Sequence, residues 1–168
     1  METNLKELPQ LSFTEALKKN YEDFTDLKGR SRRSELWWNY LVYFIVSLCV
    51  SLVLAGVNMY VATIVSFLLQ LWVVPVTIRR MHDREHSGVW VVAAVVISLV
   101  TNLYGIYSGI NTGSPEQIMK IVSSPTFMGL SIAGFIVNLV ILVFSLLDSS
   151  KTDNRYGPSP KYVQADAE

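Results

Sequence analysis

The stretch IRRMHDREHSGVW, residues 78–90, holds the side chains best suited to chemistry. His82 and His86 stand four residues apart, the spacing that sets two ligands on one helical face, with Asp83 and Glu85 close by. His82 beside Asp83 is also a general base next to a carboxylate that could orient it. Each reading lacks a part. The short turn HDREH lacks the helix length that fixes metal-ligand geometry. The chain has only these two histidines, and its one cysteine, Cys49, lies inside an apolar run. A general base needs a nucleophile or a substrate pocket, and no nucleophile motif occurs. The expectation is no metal, no cofactor and no catalytic residue. A plainer reading has Arg79 and Arg80 snorkelling to lipid phosphates and fixing topology. Ser87 and Gly88 then form the turn into the next helix, with Ser87 as its cap and Trp90 as an interface anchor. That reading accounts for the arginines and leaves His82 and Asp83 unexplained.

The elements that must hold this cluster are long apolar runs. Residues 36–55, 57–78, 89–107 and 126–147 contain no Asp, Glu, Lys, Arg or His. About 20 apolar residues at 1.5 Å rise match a hydrocarbon core of about 30 Å. The runs are apolar on every side, so they are not amphipathic surface helices. The chain of 168 residues is 51% hydrophobic and only 17% charged, too little polar surface to coat four buried helices. Lipid forces the backbone to bond internally, which keeps the many β-branched residues helical. No early apolar stretch suggests a cleavable leader, so the first span is expected to stay as an anchor. The polar groups inside the spans, among them Asn39, Asn58, Gln70, Asn102 and Asn138, read as bonds between helices. Pro75 is a candidate kink in the second span. With no intramembrane charge, an ion-coupled transporter is disfavoured.

Charge sets the orientation. Thirteen Lys and Arg residues lie before the first span, between spans two and three, or after span four, and only Lys120 falls on the other side. Both termini and the opening cluster are therefore expected to face the cytoplasm. The chain divides into a cytoplasmic segment 1–35, a four-span domain 36–147 and a cytoplasmic tail 148–168. The first outer turn, around Gly56 and Asn58, is short. The second, about 108–125, is a long loop with a short helix expected at 115–122.

Three further polar segments share the inner face. In LSFTEALKKNYEDF, Ser12 and Glu15 form a capping box opening an amphipathic helix. That helix either lies on the membrane or packs on the bundle ends. Gly29 is expected to end it. In DLKGRSRRSELWW, Arg30, Arg32 and Arg33 are available to phosphates, and Ser34 can cap span one with Glu35 just after it. In DSSKTDNRYGPSP, Asp148 ends span four. Asn154, Arg155, Tyr156, Gly157 and Pro158 make a turn that folds back on the bundle. The tail beyond Pro160 reads as disordered.

Together these segments resemble the small bacterial membrane proteins of the domain of unknown function 805 family. The resemblance spans about residues 13–160 and rests on GRSRRSELWW, then Pro75 with IRRMHDREHSGVW, then Asp148 with NRYGPSP. The matching positions are Gly29, Arg30, Arg33, Glu35, Trp37, Pro75, Arg79, Arg80, His82, Asp83, Ser87, Gly88, Trp90, Asp148, Asn154, Tyr156, Gly157 and Pro158. Glu85 and His86 stand where the family more often has small or polar residues, which weakens the metal reading. The resemblance implies a protein of the bacterial cytoplasmic membrane and brings no particular activity.

The sequence thus describes an all-α membrane protein, four transmembrane helices preceded by an amphipathic helix. Its candidate site is a cytoplasmic-face cluster of Arg30, Arg33, Glu35, Arg79, Arg80, His82, Asp83, Asp148, Asn154, Arg155 and Tyr156. Glu35, Asp83 and Asp148 are expected to share Arg33, Arg79, Arg80 and Arg155, with His82 donating within the network. The expected role is a non-enzymatic module that binds anionic lipid, a protein partner or a second copy there, and no nucleic acid. An oligomeric carrier of a small solute and a membrane enzyme using His82 and Asp83 are the alternatives.

Overall fold

A computed structural model describes residues 5–55, 58–110 and 112–164. Gly56, at the expected first outer turn, lies outside the described residues. The order of elements is β1 (Leu5–Glu7), α1 (Phe13–Glu22), α2 (Arg33–Ala55), α3 (Met59–Gln70), a 3-10 turn (Leu71–Val73), α4 (Val74–Asp83), α5 (Val89–Ser108), α6 (Pro115–Val122), α7 (Pro125–Leu146) and β2 (Tyr162–Gln164). Four helical runs are long and apolar enough to cross a membrane: α2, α3 with α4, α5, and α7.

Local chemistry explains the boundaries. The Ser12 hydroxyl accepts from the Glu15 amide and Glu15 reaches back to the Ser12 amide, closing the capping box of α1. Asn58 accepts from the amides of Tyr60 and Val61 and so starts α3. The second span is not one helix. A 3-10 turn interrupts it just before Pro75, which sits in the first turn of α4, where its missing N–H costs nothing. α6 forms over the expected 115–122.

Three local expectations are corrected. α1 ends at Glu22 with Asp23 as its cap, seven residues before Gly29. The Asp23 amide bonds the Lys19 and Tyr21 carbonyls there, and the helix needs no glycine. Ser34 does not cap span one, because α2 begins at Arg33 and the Ser34 hydroxyl accepts from the Leu11 amide at 3.4 Å. The cap position of α5 is Gly88, not Ser87, whose hydroxyl accepts from Val89. Gly88 is required there: a Cβ would lie 2.7 Å from Ile78 Cγ2, so only glycine lets α5 start this close to α4.

α2 packs along α3 and α5 along α7, while α3 and α5 touch lightly. α4 is the hub, with Pro75 through Asp83 all buried. Its apolar side joins two small cores, Ile78 and Met81 with Val91, Ala94 and Ile141, and Val76 with Leu36 and Val73. α1 packs on the end of the bundle. Asn39 Nδ2 donates to the Ala16 carbonyl at 3.1 Å, Asn20 Nδ2 donates to the Trp72 carbonyl at 3.2 Å, and Phe24 stacks on Trp72. Within the tail expected to be disordered, Tyr162–Gln164 instead pairs as a strand, and residues 165–168 lie outside the described residues. β2 runs antiparallel to β1, with Leu5 opposite Gln164 and Glu7 opposite Tyr162. This pairing puts both ends of the described chain on the same side of the bundle as the α4–α5 turn.

Candidate functional site

The last turn of α4 spreads its charges in two directions. Arg79 faces α1. Its guanidinium donates to Glu35 Oε1 at 2.9 Å, to Asn20 Oδ1 at 3.2 Å, and to the Asp23 and Asp26 carbonyls at 2.5 and 3.0 Å. It therefore holds the carboxyl end of α1, where a cation suits the helix dipole. Arg80 faces α7. It donates to Asp83 Oδ2 at 2.6 Å, to the Ser149 hydroxyl at 3.1 Å, and to the carbonyls of Ser31, Ser145 and Leu147. The last carbonyls of α7, which have no helical partner, are satisfied this way.

Arg30 completes the set. Its Nε lies 3.0 Å from Asp83 Oδ1, and its terminal nitrogens donate to the carbonyls of Ser150, Thr152 and Gly157 at 2.9–3.0 Å. Each of three buried arginines thus ties a different segment to α4: α1, the end of α7, and the tail. Side chains of Arg30, Arg79, Arg80, Glu35 and Asp83 are at most 1% exposed. Burial on this scale is tolerable only because nearly every polar atom has a partner. The exceptions are Glu35 Oε2 and Arg79 Nε, buried without one.

The His82–Asp83 dyad does not form. Both Asp83 oxygens are taken by Arg30 and Arg80. The His82 ring lies flat on Tyr156 at 3.8 Å and 3°, and its Nδ1 is 3.3 Å from the Gly29 carbonyl. Asn154 Nδ2 donates to the His82 carbonyl at 3.0 Å, and Asn154 and Gly157 close the tail turn on each other's backbone. Arg155 lies over the Tyr156 ring and donates to the Glu85 carbonyl; none of its ion pairs to a carboxylate occurs among the described residues. His86 sits against Phe144, its ring centroid 3.7 Å away. Among the described residues no group of three His, Cys, Asp or Glu could hold a metal ion.

Asp148 stands apart from the buried set. Its carboxylate pairs with Arg33 at 2.9 Å and Lys161 at 2.8 Å, and its side chain is 47% exposed. The Lys161 hydrogen bond, with the Ser149 amide and the Arg33 charge, holds its pKa down to about 2. Lys161, which also reaches Glu7, is shifted up by the same contact. Sequence reasoning passed over Lys161 because it follows Pro160 in a short polar tail. The β-forming Tyr162-Val163 beside it is the one signal that could have found it. Asn20, too, was missed, since an isolated Asn in an amphipathic helix reads as solvated.

Next to Asp148 a cleft of about 350 Å³ opens between the N-terminal segment, the start of α2 and the tail. Arg32, Arg33, Lys161, Trp37 and Trp38 line it together with Glu7 and Asp148. Arg32 is itself fixed by the Leu8 and Pro9 carbonyls.

The fold and this face define a small polytopic helical membrane protein whose polar end is locked by buried arginines. The chain belongs to the family described as protein of unknown function (DUF805), whose model matches residues 24–158. It is similar to the inner membrane protein YhaI of Escherichia coli K12, 26% identical over 147 residues, 86% of this chain and 91% of the relative. The same likeness holds for inner membrane protein YhaI of Escherichia coli O157:H7. No solved structure matches.

Proposed function

We propose that the protein is a non-enzymatic module of the bacterial inner membrane that binds the phosphate of anionic lipids. The site is the cleft lined by Arg32, Arg33 and Lys161, not the buried network. The observation that carries this reading is the division of labour among the cations. Arg30, Arg79 and Arg80 are sealed among carbonyls and carboxylates, whereas Arg33, although paired with Asp148, stays 44% exposed beside two tryptophans at the start of a span. Tryptophan and arginine are the side chains that settle at headgroup depth. The Lys and Arg asymmetry supports a cytoplasmic location for this face and both termini, where anionic lipid raises the local concentration of the ligand.

Protein purified in detergent should retain phosphatidylglycerol over phosphatidylcholine, with a preference that falls as salt rises. Arg33→Ala with Lys161→Ala should remove the preference and lower the melting temperature only modestly, because the carboxylates these cations pair with are half exposed. Equal retention of both lipids at low salt overturns the reading. So does recovery of a stoichiometric protein partner that the same double substitution releases. Labelling of a cysteine placed at Arg84 from outside intact cells overturns the orientation.

The geometry speaks against catalysis by His82 and Asp83, since the arginines hold the carboxylate and Tyr156 covers the imidazole.

A further inference from the structure

The hydroxyls and amides of the spans are gathered, not scattered. On α2, Tyr43, Ser47 and Ser51 recur at every fourth residue; on α3, Thr63, Ser66 and Gln70 share a face; on α5, Ser98 and Asn102 are one turn apart. These stripes meet. Tyr43, Ser51, Thr63, Ser66, Gln70, Ser98 and Asn102 line a cleft of about 400 Å³ where α3 and α5 barely touch. Ser98 Oγ donates to Gln70 Oε1 at 3.0 Å, and Asn102 Nδ2 donates to the Ser98 carbonyl at 2.8 Å. Ser47 Oγ, on the same stripe of α2, is buried without a partner.

A second cleft of about 160 Å³ shares Tyr43 and Gln70 with the first and reaches Tyr40, Thr77 and Asn138. Tyr40 Oη and Thr77 Oγ1 lie 3.1 Å apart. The next turn of α4 carries Arg79 and Arg80 in their sealed network. From Thr63 to Thr77 the polar track descends roughly 20 Å at 1.5 Å per residue. It then stops at the arginines.

Polar side chains facing hydrocarbon gain nothing, and a cleft this size admits about a dozen waters at about 30 Å³ each. What fills it must hydrogen-bond. It must also be uncharged, because no Asp, Glu, Lys, Arg or His lines either cleft and a bare ion there would find no counter-charge. We propose that this intramembrane cleft is a binding site for a small uncharged polyol, closed at one end by the Arg79–Glu35 layer. The site shares no residue with the lipid cleft, so either can fail alone.

The test uses the full chain with Cys49→Ser and Ser98→Cys, reconstituted in phosphatidylcholine vesicles. A water-soluble methanethiosulfonate reagent reacts with a thiolate, so its rate reports hydration. Ser98→Cys should react nearly as fast as Thr112→Cys in the outer loop, while Leu103→Cys, on the exposed face of α5, should be about 100-fold slower. Glycerol should slow Ser98→Cys several-fold, and a dextran at matched viscosity, many times larger than the cleft of about 400 Å³, should not. Adding Gln70→Leu should abolish the glycerol effect with the melting temperature kept. If the Ser98 variant does not fold, Ser66→Cys carries the same measurement. The proposal is overturned if Ser98→Cys is as slow as Leu103→Cys, or if glycerol and dextran slow it equally. It is also overturned if cysteines at Ser66 crosslink between copies, because a neighbour's helix then fills the cleft.

Discussion

Two carboxylate–cation pairs mark the two ends of the bundle, and their settings differ completely. Glu116 and Lys120 lie 3.1 Å apart on α6, about four-fifths exposed, four residues apart on one short helix. Glu35 and Arg79 lie 2.9 Å apart with almost no exposure, on two different helices. The first pair is screened by water and joins nothing that is not already joined. The second exists only once α1, α2 and α4 have docked. The Glu35–Arg79 pair is therefore part of the tertiary structure, and the Glu116–Lys120 pair decorates it.

The comparison breaks most sharply at Asp83. Asp83→Ala leaves Arg30 and Arg80 buried with no carboxylate. It should cost about 3–5 kcal/mol. In detergent the variant should melt far below the wild type or fail to accumulate, as read by thermal shift at matched expression. A melting temperature within error of wild type would mean that carbonyls alone satisfy both arginines.

Asp148 sharpens the comparison, because the sequence groups it with Glu35 and Asp83 and the structure does not. Half exposed, it should lose less than about 1 kcal/mol on Asp148→Ala at neutral pH. Its folded pKa of about 2 lies below the ordinary value of about 3.9, so its contribution is fully present above about pH 4. It is lost as pH falls through about 2. The gap in melting temperature between wild type and Asp148→Ala should therefore close between about pH 4 and 2. A gap that persists at pH 2 would assign the effect to packing rather than to charge. Glu116→Ala should be the mildest, within about 0.5 kcal/mol at any pH.

The spans were legible because lipid imposes one requirement, apolar length, and hydropathy reads it directly. The charged residues of the polar end were legible by type but not by role. The sequence reading paired Glu35, Asp83 and Asp148 with nearby arginines, yet gave Arg30 only to phosphates. In the structure Arg30 crosses more than a hundred residues of chain to reach the tail carbonyls. No local pattern encodes such a contact, since backbone carbonyls are present at every position. The break in the second span was partly visible as Pro75. The Trp72–Asn39 bond beside it, 2.9 Å long, joins residues that no periodicity connects. The strand β2 left only the β-forming Tyr162-Val163 as a trace, because three residues carry too little pattern without their partner in β1.

The pairing of β1 with β2 has a consequence for biosynthesis. Ribosomes deliver Leu5–Glu7 before any span and Tyr162–Gln164 after all of them. The carbonyls that satisfy Arg30, and the lysine that holds Asp148, belong to the part of the chain made last. Throughout membrane insertion the early arginines must wait in the aqueous or headgroup layer for groups not yet translated. Assembly is thus a clasp that only the finished polypeptide can fasten, and a chain cut short before the tail would leave Arg30 without the carbonyls it was placed to hold.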